Sequence, residues 1–296
     1  MKITLVCPAS LPATQFGGIM FLGVQIAIEL AKKGHDLTIF TTDLDFANNA
    51  STFNKNLPKK EVIKGFTINR THVWFSYKLF YVNLGMYFQM KKEKHDIIHT
   101  IGVRSFQSLI AAIISKKNKI PLIISDQGGL TTHPDLKKNS IIKKIMYKIQ
   151  NPLIKFIVNQ TTKIIVPNEY EKKIFLEYTT NEKIVIIKNG INLNELSESK
   201  INFKVKYKIK NNFILFVGRF NKVKGIDILL ESWALIEREI QNTKLVIMGV
   251  DFGFESEMYK MIDNLKINDS VIVIKNPLRE DVLAAYSACE FLVLPS

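Results

Sequence analysis

The chain has 296 residues, room for two domains, and its 47% hydrophobic and 23% charged residues exclude a disordered or fibrous polypeptide. No apolar run approaches the roughly 18 residues of a membrane-spanning helix, and the opening MKITLVCPAS is too brief for a secretory leader, so a cytoplasmic chain is expected. The net charge of +14 suits anionic partners, or reflects a coding bias toward Lys, Ile and Asn.

Strand and helix patterns alternate along the chain. KITLVC reads as a first buried strand, followed by a loop that carries Gly17 and Gly18. FLGVQIAIELAKKGH has helical spacing and stops at Gly34. DLTIFTTD, FTINRTHV, DIIHTIG and PLIISDQGG follow as strands, the last two ending in glycine turns. KKNSIIKKIMYKIQNPLIKFIV sets lysines against apolar residues at helical spacing, with a break expected near Pro152. It reads as a core-facing helix with a basic outer side, or as a helix lying on an anionic bilayer. KIIVPNEYEKKIF is a strand, then Asn168 as a helix cap, then a helix, and KIVIIKNGIN is a further strand running into an Asn-Gly turn.

The strand pattern lapses over about 193–211, the expected linker. It then restarts with FILFVGR, TKLVIMGV, SVIVIK and EFLVLPS, separated by helices. Continuous apolar strands alternating with helices predict parallel sheets covered on both faces. The expected fold class is α/β, with two Rossmann-like domains facing a cleft, residues 1–195 and 205–296, the second incomplete because the chain stops on a strand. Cys7 and Cys289, the only cysteines, are expected to be small core residues rather than a disulfide or ligands.

The stretch VGRFNKVKGIDILLESW carries the most chemistry. Gly218 and Arg219 follow a strand, and Lys224 and Gly225 open a helix, a common place for a phosphate. Only five of the 41 basic residues are arginine, and a guanidinium grips phosphate oxygens in pairs. The competing reading is a solvated basic loop. Asp126 follows a strand, as an acceptor ligand or base, or as a turn or cap residue. His99 and His133 are further candidates, each against a structural role.

VGRFNKVKGIDILLESW resembles the Gly-Arg-x4-Lys-Gly signature of the retaining glycosyltransferases of family 4, which have the GT-B fold. FGGI, IIKNGIN, LVIMGVDFG and LAAYSACEFLVLPS resemble further segments of that family in the same order. The resemblance implies transfer of a sugar, with retention, from a nucleotide-diphosphate sugar to a glycan or lipid-linked acceptor. It implies that Arg219 and Lys224 grip the diphosphate, that Gly17 and Gly18 let backbone approach the donor phosphate or the acceptor closely, that Gly218 and Gly249 lie at the nucleotide, and that Asn276 and Leu278 lie beside the base. Protein cations stand in for a metal, so no metal and no separate cofactor is expected. Retention is attributed to attack on the leaving-group face, without a nucleophile. The family's paired glutamates come after Leu-Pro-Ser, past Ser296, so a non-catalytic sugar-nucleotide or partner-binding fragment is the alternative. Peripheral contact with an anionic membrane is a further expectation; nucleic-acid binding is not expected, for want of a basic cluster interleaved with aromatics.

Overall fold

The computed structural model describes residues 1–45, 52–77, 80–130, 141–190, 192, 201–240 and 242–295, with side chains at all of these except 15 and 141–149. Contacts divide the chain into two compact units, Met1–Asn189 and Gly190–Ser296.

The N-terminal unit holds the strands β1 (Lys2–Val6), β2 (Asp36–Thr42), β3 (Lys60–Ile63), β4 (Phe66–Thr71), β7 (Ile97–Ile101), β8 (Leu122–Ser125), β9 (Lys163–Val166) and β10 (Ile184–Ile186) in one sheet. The order is β10-β9-β8-β7-β1-β2-β4-β3. Every pairing is parallel except β3 with β4, as short apolar strands joined by helices require. Leu5, Val6, Ile39, Phe40, Ile98 and Ile124 are fully enclosed. Burying each such side chain contributes about 1.5–3 kcal/mol before conformational entropy is subtracted. A two-stranded hairpin, β5 (Phe75–Tyr77) and β6 (Phe80–Val82), lies outside the main sheet.

The helices of this unit are α1 (Gly18–Lys32), α2 (Gly85–Lys91), α3 (Phe106–Asn118), α4 (Ile141–Gln160) and α5 (Glu169–Phe175). α4 continues through Pro152, where the sequence suggests a break. Ile154, Ile157 and Val158 are buried in the core beyond the proline, and their burial outweighs the one backbone hydrogen bond that proline forfeits. The side chain of Asn168 caps α5, accepting from Glu171 N–H at 2.9 Å, as its position suggests.

The C-terminal unit carries a parallel sheet in the order β13-β12-β11-β14, formed by β11 (Asn212–Val217), β12 (Thr243–Gly249), β13 (Val271–Lys275) and β14 (Phe291–Leu292). Its helices are α6 (Phe203–Lys206), α7 (Ile226–Ile236), α8 (Glu255–Leu265) and α9 (Arg279–Ala288). Residues 193–200 of the expected linker lie outside the described residues. The remainder is not linker in character: Phe203 and Ile209 are buried and pack with Phe213 and Ala284 in this unit's core. Cys7 is buried, and burial pushes its thiol up to about 12, which keeps it protonated; Cys289 is half-buried at the end of α9.

Candidate functional site

β11 and β12 run in register, Val217 beside Met248, so both chains leave the sheet side by side. Gly218 N–H donates to Met248 O at 3.0 Å, and Asn276 N–H donates to Gly249 O at 2.8 Å. The ends of β11, β12 and β13 are thereby gathered at one sheet edge, where open α/β sheets hold ligands. Gly249 admits no substituent: a Cβ there would stand 1.8 Å from Gly218 O. Asn276 has φ of 50°, a left-handed geometry that asparagine tolerates. Leu278 precedes α9 with extended backbone, and its side chain is exposed.

Beyond Gly218 the pairing continues into the loops. Phe220 N–H donates to Val250 O at 2.8 Å, and Phe252 N–H to Phe220 O at 2.9 Å. This brings Phe252 under Arg219, whose guanidinium carbon lies 4.9 Å from the ring centroid, a contact worth about 0.5–1 kcal/mol at an exposed position. Arg219 is exposed, yet neighbouring protein removes enough water to lower its pKa from the usual arginine value. A guanidinium remains charged at neutral pH all the same. Among the described residues neither Arg219 nor Lys224 forms an ion pair, so both charges are available to a ligand.

Asn221 fixes the turn between those two cations. Its Oδ1 accepts from Val223 N–H at 3.1 Å and its Nδ2 donates to Phe252 O at 3.1 Å. Lys224 closes the single turn Lys222–Lys224, and Gly225, at φ 66°, reverses the chain into α7. A Cβ on Gly225 would lie 2.9 Å from Pro295 O, so glycine is required both for conformation and for space.

Sequence reading passed over Asn221, Asp251 and Phe252. Asp251 Oδ1 accepts from the N–H groups of Gly253, Phe254 and Glu255 at 2.9, 3.0 and 3.0 Å, holding the start of α8. An Asp a few residues before an acidic first turn was the available signal. The partnership of Phe252 with Arg219 crosses 33 residues and leaves no local trace.

In the N-terminal unit, Gly17 has φ 88° and ψ −151°, a region close to glycine-only, and Gly18 starts α1. Open space surrounds the Cβ position of both. No acidic residue occupies the first turn of α1, so its free N–H groups keep their positive end of the helix dipole.

Asp126 follows β8 at 1% exposure. Its Oδ1 accepts from Val103 N–H at 3.1 Å and its Oδ2 from Leu130 N–H at 3.2 Å. Burial raises its pKa, while those N–H groups and Arg104 pull it back down. Both oxygens face inward on backbone donors. Glu171, also missed from sequence, lies close enough that the Asp126 charge adds to the effect of burial in raising its carboxyl. His99 is 8% exposed and its Nε2 meets Ser125 Oγ at 2.8 Å; burial lowers it to about 4, so it is neutral at pH 7. His133, Lys137 and Lys138 lie outside the described residues, as do the side chains of Lys143, Lys144 and Lys148.

The sequence contains one Asp-x-Asp, Asp43 and Asp45. Asp43 is joined to His72 at 2.6 Å, and Asp45 accepts from Asn54 at 2.9 Å. Among the described residues no group of three His, Cys, Asp or Glu side chains is placed to hold a metal ion.

The sequence profile named Glycosyltransferase Family 4 matches residues 16–195, and the profile named Glycosyl transferases group 1 matches residues 197–296. An uncharacterized glycosyltransferase, MJ1178 of Methanocaldococcus jannaschii, is 28% identical over 214 residues, covering 70% of this chain and 51% of that protein. The UDP-Gal:alpha-D-GlcNAc-diphosphoundecaprenol alpha-1,3-galactosyltransferase of Escherichia coli is 24% identical over 222 residues, covering 72% of this chain and 55% of that protein. The chain thus spans about half the length of these curated relatives. The crystal structure of Anabaena Alr3699/HepE in complex with UDP and glucose superposes with a TM-score of 0.72 at 16% identity, over 100% of this chain and 74% of that one. At that identity the likeness speaks for the fold, the two-unit GT-B architecture. The family profile spans most of the N-terminal unit and more than half of the whole sequence, and on that ground the chain belongs to Glycosyltransferase Family 4.

Proposed function

We propose that the protein transfers a sugar from a nucleoside diphosphate sugar to a glycan or lipid-linked saccharide, with retention at the anomeric carbon. The observation that carries this reading is the β11–α7 loop, where Arg219 and Lys224 flank a turn at the helix start without carboxylate partners among the described residues. When the bond from the anomeric carbon to the diphosphate breaks, negative charge builds on the departing oxygen. Cations fixed there stabilise the transition state more than the ground state. Arg219, held on Phe252, offers two parallel N–H groups, and Lys224 adds a point charge.

Gly218, Gly249 and Asn276 line the same sheet edge with backbone, which lets a nucleotide approach closely; Leu278 offers an apolar surface to the base. Gly17 N–H is taken by Thr14 O, so the first-turn N–H of Gly18 faces an anionic part of a substrate, and Gly17 leaves the approach open. In the retaining reaction the acceptor hydroxyl attacks from the face the diphosphate leaves, and a phosphate oxygen takes its proton, so no enzyme nucleophile is needed. Asp126 positions the 126–130 loop through its two backbone bonds. Work at the inner face of a membrane is part of this reading, supported by the diphosphoundecaprenol-linked substrate in the Escherichia coli relative's name. Among the described residues no helix is long and apolar enough to cross a membrane.

Calorimetric titration of the chain with uridine, adenosine and guanosine diphosphates tests the reading. One of them should bind, and Arg219→Ala should weaken it about tenfold or more, the worth of a charged hydrogen-bond pair. Failure of all three to bind, or an unchanged affinity in Arg219→Ala, overturns the proposal.

A further inference from the structure

A second basin sits in the N-terminal unit, where β2 and β4 end. β2 and β4 pair with Thr42 opposite Thr71, so the residues that follow, Asp43 and His72, emerge side by side. They join at 2.6 Å through His72 Nδ1, and Asp43 Oδ1 also accepts from Val73 N–H at 3.1 Å. The pair fixes the imidazole and leaves Nε2 as its remaining polar atom. Next to it opens a cavity of roughly 530 Å³, large enough for one or two sugar rings.

Two polar side chains of the cavity wall, Arg70 and Gln89, are turned to the protein. Arg70 is 3% exposed; its Nη1 donates to Pro58 O and its Nη2 to Leu11 O, and it is paired with Glu61. Its Nε and Oε1 of Gln89 are enclosed by protein and reach no ligand, and Gln89 Nε2 donates to Arg70 O. His72 Nε2, the ring's remaining polar atom, suits a ligand bearing hydroxyl groups, since a hydroxyl both gives and takes a hydrogen bond. At the rim stands Trp74, 71% exposed, an indole face of the kind on which a sugar ring can lie. Charge then narrows the class. Arg70 is neutralised by Glu61 and His72 is paired with Asp43, whereas the exposed Lys55 and Lys59 form no ion pair among the described residues. The surplus is positive.

We infer that the basin formed by Asp43–His72, Arg70, Gln89, Lys55, Lys59 and Trp74 binds a sugar bearing a carboxylate or phosphate, as a unit of the acceptor distal to the reacting hydroxyl. This rests on the transferase reading above. The basin lies past the ends of β2 and β4, one and two strands from β1 in the sheet, so a sugar held here sits to one side of the β1 end rather than at it.

The chain has two tryptophans, Trp74 and the 2% exposed Trp233, so ligand in the basin changes the emission of Trp74. Glucuronate and glucose 6-phosphate should each alter it saturably, with at least fivefold higher affinity than glucose. The Lys55→Gln/Lys59→Gln variant should lose about tenfold for the acidic sugars and little for glucose, and Trp74→Phe should lose the signal. Equal affinity for glucose and glucuronate, no saturable change with any sugar, or inorganic phosphate binding as well as glucose 6-phosphate overturns the inference. Titration of the same preparation with uridine diphosphate separates the two proposals. Nucleotide binding without acidic-sugar binding ends this inference alone. Acidic-sugar binding without any nucleotide strips the basin of its acceptor role, which overturns the inference as stated.

Discussion

His99 shows how one buried ring couples stability to pH. It is neutral in the folded chain because burial lowers it from 6.5 to about 4. Between those values the unfolded chain binds a proton that the folded chain refuses. The contribution is therefore fully present above pH 6.5 and is lost as pH falls toward 4, about 3 kcal/mol in all at roughly 1.4 kcal/mol per pH unit. Asp126 acts in the opposite sense: burial raises its carboxyl, so protonation favours the folded state as pH falls through its titration. Urea unfolding of the native chain and of His99→Gln, followed from pH 7 to 4.5, isolates the histidine. The stability gap between the two should change by about 2 kcal/mol or more across that range. Parallel curves would mean that His99 stays charged or exposed. From sequence, His99 and Asp126 were both ambiguous between chemistry and structure. Only burial and the partners Ser125, Val103 and Leu130 distinguish those roles, and each of those partners is remote or backbone.

α8 begins with Glu255 and Glu257 in its first turn, good for the helix dipole, but Phe254 at its N-cap offers no side-chain bond. Asp251 takes over that duty by accepting three N–H groups from residues two to four ahead. Asp251→Ala should cost about 1–2 kcal/mol by loss of the cap, read as a lower midpoint in urea, while Asp251→Asn should recover part of it. An Ala variant as stable as the native chain would show that the backbone alone holds the turn. The strand-to-helix rhythm around this loop was legible because buried parallel strands need unbroken apolar runs. The antiparallel strand β3 was not, because Lys60–Ile63, two charged residues then two apolar ones, has no strand periodicity, lies at a sheet edge and owes its place to pairing with β4. The continuity of α4 through Pro152 was hidden for a related reason: local propensity argued for a break, and core contacts beyond the proline decided otherwise.

Across the whole molecule, the net charge of +14 favours any anionic surface. Exposed Trp74, Phe75, Tyr77 and Phe88 add aromatic side chains suited to a headgroup layer. Vesicles containing phosphatidylglycerol should sediment more of the protein than neutral phosphatidylcholine vesicles at about 0.1 M salt, and the difference should shrink at about 1 M, where the Debye length falls to about 3 Å. Equal recovery with both lipids would remove the membrane face from the functional reading.

The sequence by itself determined the α/β class, the alternation of parallel strands and helices, and the Gly-Arg-x4-Lys-Gly stretch, because these are local patterns of apolarity, turn chemistry and spacing. Tertiary structure alone decided that Phe252 lies under Arg219, that Asp126 turns inward, and that Asp43 meets His72 beside an open cavity. Those pairings arise where separate strands end at one sheet edge, and register between distant segments is set by packing that no short window of sequence contains.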